Sequence, residues 1–144
     1  MNTLASDAFE QRSALQPSDF AMLADFRHEL RRFALFSESE AQAHGLAPQQ
    51  HQALLAIKGN DAPMTVTELS ARLCIKSHSA AELVNRLVQM GMITRQADPQ
   101  DGRRALLHLT PQAERTLEAL SEVHQEQLRG IRPLLAELLR KFSE

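Results

Sequence analysis

At 144 residues the chain has the length of one domain with a real core, since a chain of this size buries about two thirds of the surface it exposes when unfolded. Its 43% hydrophobic and 24% charged residues are ordinary globular composition, which excludes a disordered or fibrous chain; no apolar run approaches the ~20 residues of a membrane span, and residues 1–16 lack the basic start and apolar stretch of a secretory signal, so a cytoplasmic protein is expected. The net charge of −2 hides a mild asymmetry: residues 76–104 hold five basic and three acidic side chains inside an acidic remainder, which permits a nucleic-acid-facing segment without demonstrating one.

Residues 1–17 are polar, lack periodicity and end at Pro17, the signature of a frayed arm. From Ser18 onward Phe20, Leu23, Phe26, Leu30 and Phe33, followed by Leu35 or Phe36, recur at spacings of three and four. Arg27, Glu29, Arg31 and Arg32 lie between them, and the pattern predicts a long amphipathic helix closed by Gly45. Pro48 suits the first position of a second helix, behind a poor cap at Ala47, carrying Leu54, Leu55 and Ile57 and stopping at Gly59-Asn60. Thr65 and Glu68 have the spacing of a capping box, and Val66, Leu69 and Leu73 mark one face of a short third helix.

The fourth helix, 78–90, is the most informative segment. At 100° per residue Ala80, Leu83, Val84, Leu87 and Met90 fall on one side, while His78, Glu82, Asn85, Arg86 and Gln89, all able to donate or accept hydrogen bonds, fall on the other. Gly91 ends it where a left-handed residue is wanted. Segments 92–96 and 104–109 read as strands joined by the turn formers of 97–103, which makes a hairpin. Thr110 caps and Pro111 opens a last long helix whose stripe is Leu117, Leu120, Val123 and Leu128. Gly130 and Pro133 are expected to break it, leaving Leu134, Leu135, Leu138, Leu139 and Phe142 on a short final helix.

Two short helices joined across 74–77 make a helix-turn-helix, and the polar face of the second can reach base edges and phosphates in a major groove. Such pairs occur in many helical proteins, where the polar face is simply solvated. The hairpin directly after the second helix favours the DNA reading, because helix, helix, strand, turn and strand is the winged-helix order. Candidate contacts are Ser77, His78, Ser79, Glu82, Asn85, Arg86 and Gln89 on the helix, with Arg95, Asp101, Arg103 and Arg104 on the wing.

The segment 54–110 resembles the MarR family of transcriptional regulators. Residues 64–75 (MTVTELSARLCI) and 82–93 (ELVNRLVQMGMI) are similar to its two central helices, and Arg95, Asp98, Pro99, Asp101, Arg103, Leu109 and Thr110 are similar to its wing. The resemblance implies a mostly α fold with a small β-hairpin wing: one domain over 18–144, with a winged helix-turn-helix core at 45–110 between dimerisation helices at 18–44 and 111–144. It implies a repressor that binds a palindromic operator in double-stranded DNA as a homodimer. Within Asp101-Gly102-Arg103, the arginine reaches DNA near the wing tip while the aspartate holds the loop. A small aromatic or phenolic effector would sit between the dimer helices and the DNA lobe, where Arg27, Arg31 or His51 could meet it.

Three positions depart from the family pattern. Glu82 stands where a neutral or basic residue is common, Cys74 replaces the usual turn glycine, and Ala113 replaces the glycine that follows Leu-Thr; at the last two, local backbone adjustment is expected. Cysteines sense oxidants in some members of the family, but from the first helix, and Cys74 in the turn reads as a filler of a half-buried site. Six histidines offer no His-x-x-x-His pair and no adjoining carboxylate cluster, so neither metal nor cofactor is expected. Asp98, Asp101 and Glu82 have arginines as neighbours and no nucleophile, so no enzyme is expected. The alternative is a winged-helix interaction module that has lost DNA binding. Glu82 and the acidic balance support it, and Arg86, Arg95, Arg103 and Arg104 oppose it.

Overall fold

The computed structural model describes residues 15–141; most of the arm expected at 1–17, and Phe142, lie outside the described residues. Five helices and one hairpin follow in order: α1 Pro17–Ala43, α2 Pro48–Gly59, α3 Val66–Leu73, α4 Ser77–Gln89, β1 Ile93–Ala97, β2 Ala105–Leu109 and α5 Pro111–Lys141. Pro17 and Pro48 open their helices, where a missing N–H costs nothing. The poor cap at Ala47 is compensated from inside the helix, as Gln50 Oε1 accepts the Ala47 N–H at 2.8 Å. α1 stops at Gly45 (φ +77°), where the Leu46 N–H turns back onto the Ala41 carbonyl at 2.9 Å.

The core gathers Leu46, Leu54, Ile57, Leu69, Val84, Leu87, Ile93, Leu107 and Leu120, so α2, α3, α4, the hairpin and the start of α5 share one apolar interior. β1 and β2 pair antiparallel from Ile93 opposite Leu109 to Ala97 opposite Ala105. A bond from the Leu107 N–H to the Met64 carbonyl at 2.8 Å fastens the hairpin to the segment that enters α3. The last turn of α1 joins this interior through Ala41, and the rest of α1 packs on α5. Among the described residues no helix is long and apolar enough to cross a membrane.

Three local expectations are corrected. α5 runs unbroken for 31 residues with Pro133 inside it. An interior proline costs a helix about 3 kcal/mol, but the leucines beyond it have somewhere to go: Leu135 and Leu138 share an apolar cleft with Leu23 and Phe26 of α1, and Leu138 is buried. Tertiary packing holds what propensity would end. The capping box of α3 is only half made. Thr65 Oγ1 accepts the Glu68 N–H at 3.2 Å, but the Glu68 carboxylate takes Arg104 at 2.9 Å instead of reaching back.

The third correction concerns Cys74, an exposed residue at φ 55°, ψ 41°, which occupies the left-handed conformation itself. No backbone adjustment spares it, and a side chain in that region costs about 1 kcal/mol. Cys74→Gly is therefore expected to raise stability by about that amount, read as a higher urea midpoint. An unchanged or lower midpoint would show that the turn carries no strain.

Candidate nucleic-acid interface

α4 buries Ala80, Leu83, Val84 and Leu87 and leaves Met90 37% exposed. His78, Glu82, Asn85, Arg86 and Gln89 are exposed, Ser77 is exposed and Ser79 half-buried. The helix begins one residue earlier than its pattern suggests, with Lys76 extended at the cap position and no side-chain cap. Its first-turn amides are thus open to an anion, the usual way a helix N-terminus meets a phosphate. Lys76, exposed beside them, was missing from the sequence-based contacts, and its place immediately before the helix was the signal for it.

The wing is shaped by its two aspartates. Asp98 Oδ1 accepts the Gln100 N–H at 2.9 Å and Asp101 Oδ1 accepts the Arg103 N–H at 3.1 Å. The backbone closes the loop with Asp98 N–H to Arg104 O at 2.9 Å and Arg104 N–H to Asp101 O at 3.0 Å. Asp101 therefore fastens the backbone of its own loop through Oδ1, while the residue itself stays exposed.

The arginines divide by partner. Arg104 pairs with Glu68, both side chains about half exposed, which braces the wing against α3 and is worth about 1 kcal/mol or less. Arg95, on β1, donates from Nη2 to Asn85 Oδ1 at 2.5 Å. Arg86 and Arg103 are exposed and make no side-chain hydrogen bond or ion pair among the described residues, so their charges are available to phosphate. Sequence spacing could not show the Glu68–Arg104 pair, whose partners stand 36 residues apart.

A second cluster lies where α1, α2 and α5 meet. His51 is 5% exposed, and its ring centroid is 5.0 Å from that of His124. His124 Nδ1 must donate, because its partner at 2.6 Å is the Leu120 carbonyl; its Nε2 lies 2.7 Å from Ser37 Oγ. The rings of Phe33 and Phe36 stand edge-on to His124 at 5.7 and 5.6 Å. An adjoining cavity of about 530 Å³ is lined by Phe33, Ser37, Glu38, His51, Leu55 and His124 among others. Of the three expected effector contacts His51 reaches it, whereas Arg27 and Arg31, exposed on α1, are not among its lining residues. Among the described residues no group of three His, Cys, Asp or Glu is placed to hold a metal.

Burial holds the His51 pKa below its ordinary 6.5, and the neighbouring His124 and His44 push it the same way. A histidine that resists protonation when folded takes it up when unfolded, so stability is full above pH 6.5 and declines as pH falls from there through the lowered value. His51→Gln is expected to flatten that decline in a series of melting temperatures between pH 7.5 and 5. A decline equally steep in the variant would place its origin elsewhere.

The sequence profile of the MarR family matches residues 44–104. Over 115 residues the chain is 31% identical to the HTH-type transcriptional regulator YcgE of Bacillus subtilis (strain 168), across 72% of this chain and 74% of that one. A MepR variant from S. aureus, solved bound to an oligodeoxyribonucleotide, shares the fold with a TM-score of 0.67 at 18% identity, over 82% of this chain and 93% of that one. S. aureus MarR in complex with salicylate and kanamycin does so with a TM-score of 0.69 at 20% identity, over 84% and 85%. With the helix-turn-helix, the hairpin wing and this relationship together, the chain belongs to the MarR family of winged-helix, DNA-binding transcriptional regulators, which are not enzymes.

Proposed function

We propose that the chain is a repressor that binds a palindromic operator as a homodimer, reading bases with α4 and gripping the flanking backbone with the wing. The observation that carries this reading is α4 itself, buried along one face by the core and presenting His78, Asn85, Arg86 and Gln89 outward along the other. Ser77 and Ser79 stand at its entry, and Glu82, exposed on the outer face, is suited to accept from a cytosine amino group. Arg103, unpaired within the described chain, is the anchor at the wing; Asp101 and Arg104 keep the wing in place rather than touch DNA. In this reading 18–144 is one domain, with the DNA lobe at 45–110.

Exposed Phe20, Leu23, Leu30 and Leu35 on α1 and Leu128 on α5 support a second subunit over the outer helices at 18–44 and 111–144. The cavity at His51 supports release by a small aromatic or phenolic effector, and the salicylate in S. aureus MarR is the precedent for such a ligand in this fold.

The test is a binding selection over randomised operators at several salt concentrations. Arg103→Ala is expected to weaken all sequences alike and to flatten the salt dependence by a slope of about one. Gln89→Ala should instead relax preference at one base pair in each half-site, by roughly 1 to 3 kcal/mol. Helix variants that only lower affinity uniformly, with a changed preferred sequence for Arg103→Ala, would reverse the two roles and refute the reading.

A further inference from the structure

Asn85 occupies the outward face of α4, yet its side chain is already engaged, because Arg95 reaches across from β1 to its carbonyl oxygen. A guanidinium has five donors and no acceptor, so the asparagine amide can meet it only oxygen-first. That fixes the amide orientation: Oδ1 faces Arg95 and the NH2 group points away from it. The bond is charge-assisted, roughly twice as strong as a neutral one. Arg95 is itself held, since its backbone is in the β1–β2 ladder opposite Leu107, a fully buried core residue, and β1 packs directly on α4.

An asparagine with both ends unoccupied reads adenine by accepting from N6 and donating to N7. With a guanidinium on one lone pair of Oδ1, its positive charge disfavours a second donor such as the adenine amino group at the other, so that pairing is weakened while two N–H donors remain free. Two adjacent acceptors are found on guanine, at O6 and N7. Thymine offers one at O4, adenine sets an amino group beside its single acceptor, and cytosine presents a donor. We infer that Arg95 is a specificity-determining positioning residue: by holding the Asn85 carbonyl oxygen it turns the Asn85 NH2 group toward the bases and favours guanine over adenine. The inference rests on the proposed placement of α4 in the major groove, and it assigns Arg95 to base selection rather than to backbone anchoring.

The experiment compares wild type, Arg95→Met and Asn85→Ala in the same randomised-operator selection, each variant checked for a native circular dichroism spectrum. Wild type should select guanine at one position per half-site, and Asn85→Ala should erase the preference there. Arg95→Met, which keeps the aliphatic stem and frees the oxygen, should move that position from guanine toward adenine by about tenfold, leaving the other positions as they were. In the DNA-free protein Arg95→Met should also shift the side-chain amide resonances of Asn85. If Arg95→Met lowers every sequence equally and reduces the salt slope by about one, Arg95 is a phosphate anchor and the inference falls. It falls too if the Asn85 resonances do not respond. If Asn85→Ala leaves the selected sequence unchanged, the placement of α4 fails as well, which separates that failure from the loss of the Arg95 contact alone.

Discussion

A chain carrying Phe20→Asp together with Leu30→Asp is expected to sediment as a folded monomer at concentrations where the parent is a dimer. In the single chain both side chains already lie largely in solvent, 58% and 48% exposed, so the substitutions remove little from the monomer's own packing. In a twofold interface each position occurs twice, and four large apolar side chains would be replaced by carboxylates. Covering the exposed half of each side chain is worth about 0.75–1.5 kcal/mol, so the lost burial comes to about 3–6 kcal/mol, before any cost of desolvating the new charges. That is about two to four powers of ten in the dimer dissociation constant. Operator affinity should fall with it by about a hundredfold, since the second half-site would no longer be held at high effective concentration. A double variant that stays dimeric at micromolar concentration would put the seam on another surface.

Leu87→Ala is expected to be the most damaging single truncation in the DNA lobe. The side chain is fully buried among the core residues and anchors the inner face of α4, while the backbone carbonyl, which the substitution keeps, accepts the Met92 N–H at 2.9 Å. Cavity-forming leucine truncations cost about 2–5 kcal/mol, a large part of the roughly 5–15 kcal/mol that holds a domain together. In a chain of this size the melting temperature should drop by roughly 10 °C. Gln89→Ala, two residues along on the exposed side, should change stability by about 0.5 kcal/mol or less. Comparable losses at the two positions would mean that α4 is not packed as described.

The two faces of α4 were legible in the sequence because an apolar–polar division at 3.6-residue period leaves only one way to bury Ala80, Leu83, Val84 and Leu87 together. The hairpin was legible for a similar reason, with turn formers concentrated between two apolar runs, and helix boundaries came within a residue or two. What escaped were features decided by distant contacts. Pro133 breaks a helix by local rules, and only α1, supplying Leu23 and Phe26, shows why α5 continues. The pairing of Arg104 with Glu68 and the tilted contact of His51 with His124 join residues far apart in the chain, and no spacing rule foresees them. Arg27 and Arg31 were correctly placed on the first helix, but periodicity does not say which neighbour a given side of that helix will face. Cys74 shows the opposite case: the absence of glycine argued for a different turn, and the fold imposed the left-handed one regardless.

Thr110 is one residue doing three things: its hydroxyl donates to the Gly91 carbonyl at 2.6 Å and accepts the Ala113 N–H at 3.2 Å, while its own N–H bonds the Met92 carbonyl at 3.0 Å. The end of α4, the root of the hairpin and the first turn of α5 therefore share a hinge pin with no slack in it. A helix of 31 residues is about 46 Å long and one of 13 about 20 Å. A tilt of about 5° at the pin then corresponds to a displacement of about 4 Å at the far end of α5 and under about 2 Å at the far end of α4. In the dimer and DNA placement proposed above, a coarse movement between subunits would therefore arrive at α4 as a fine one, large enough to pull a side chain out of hydrogen-bonding range of a base.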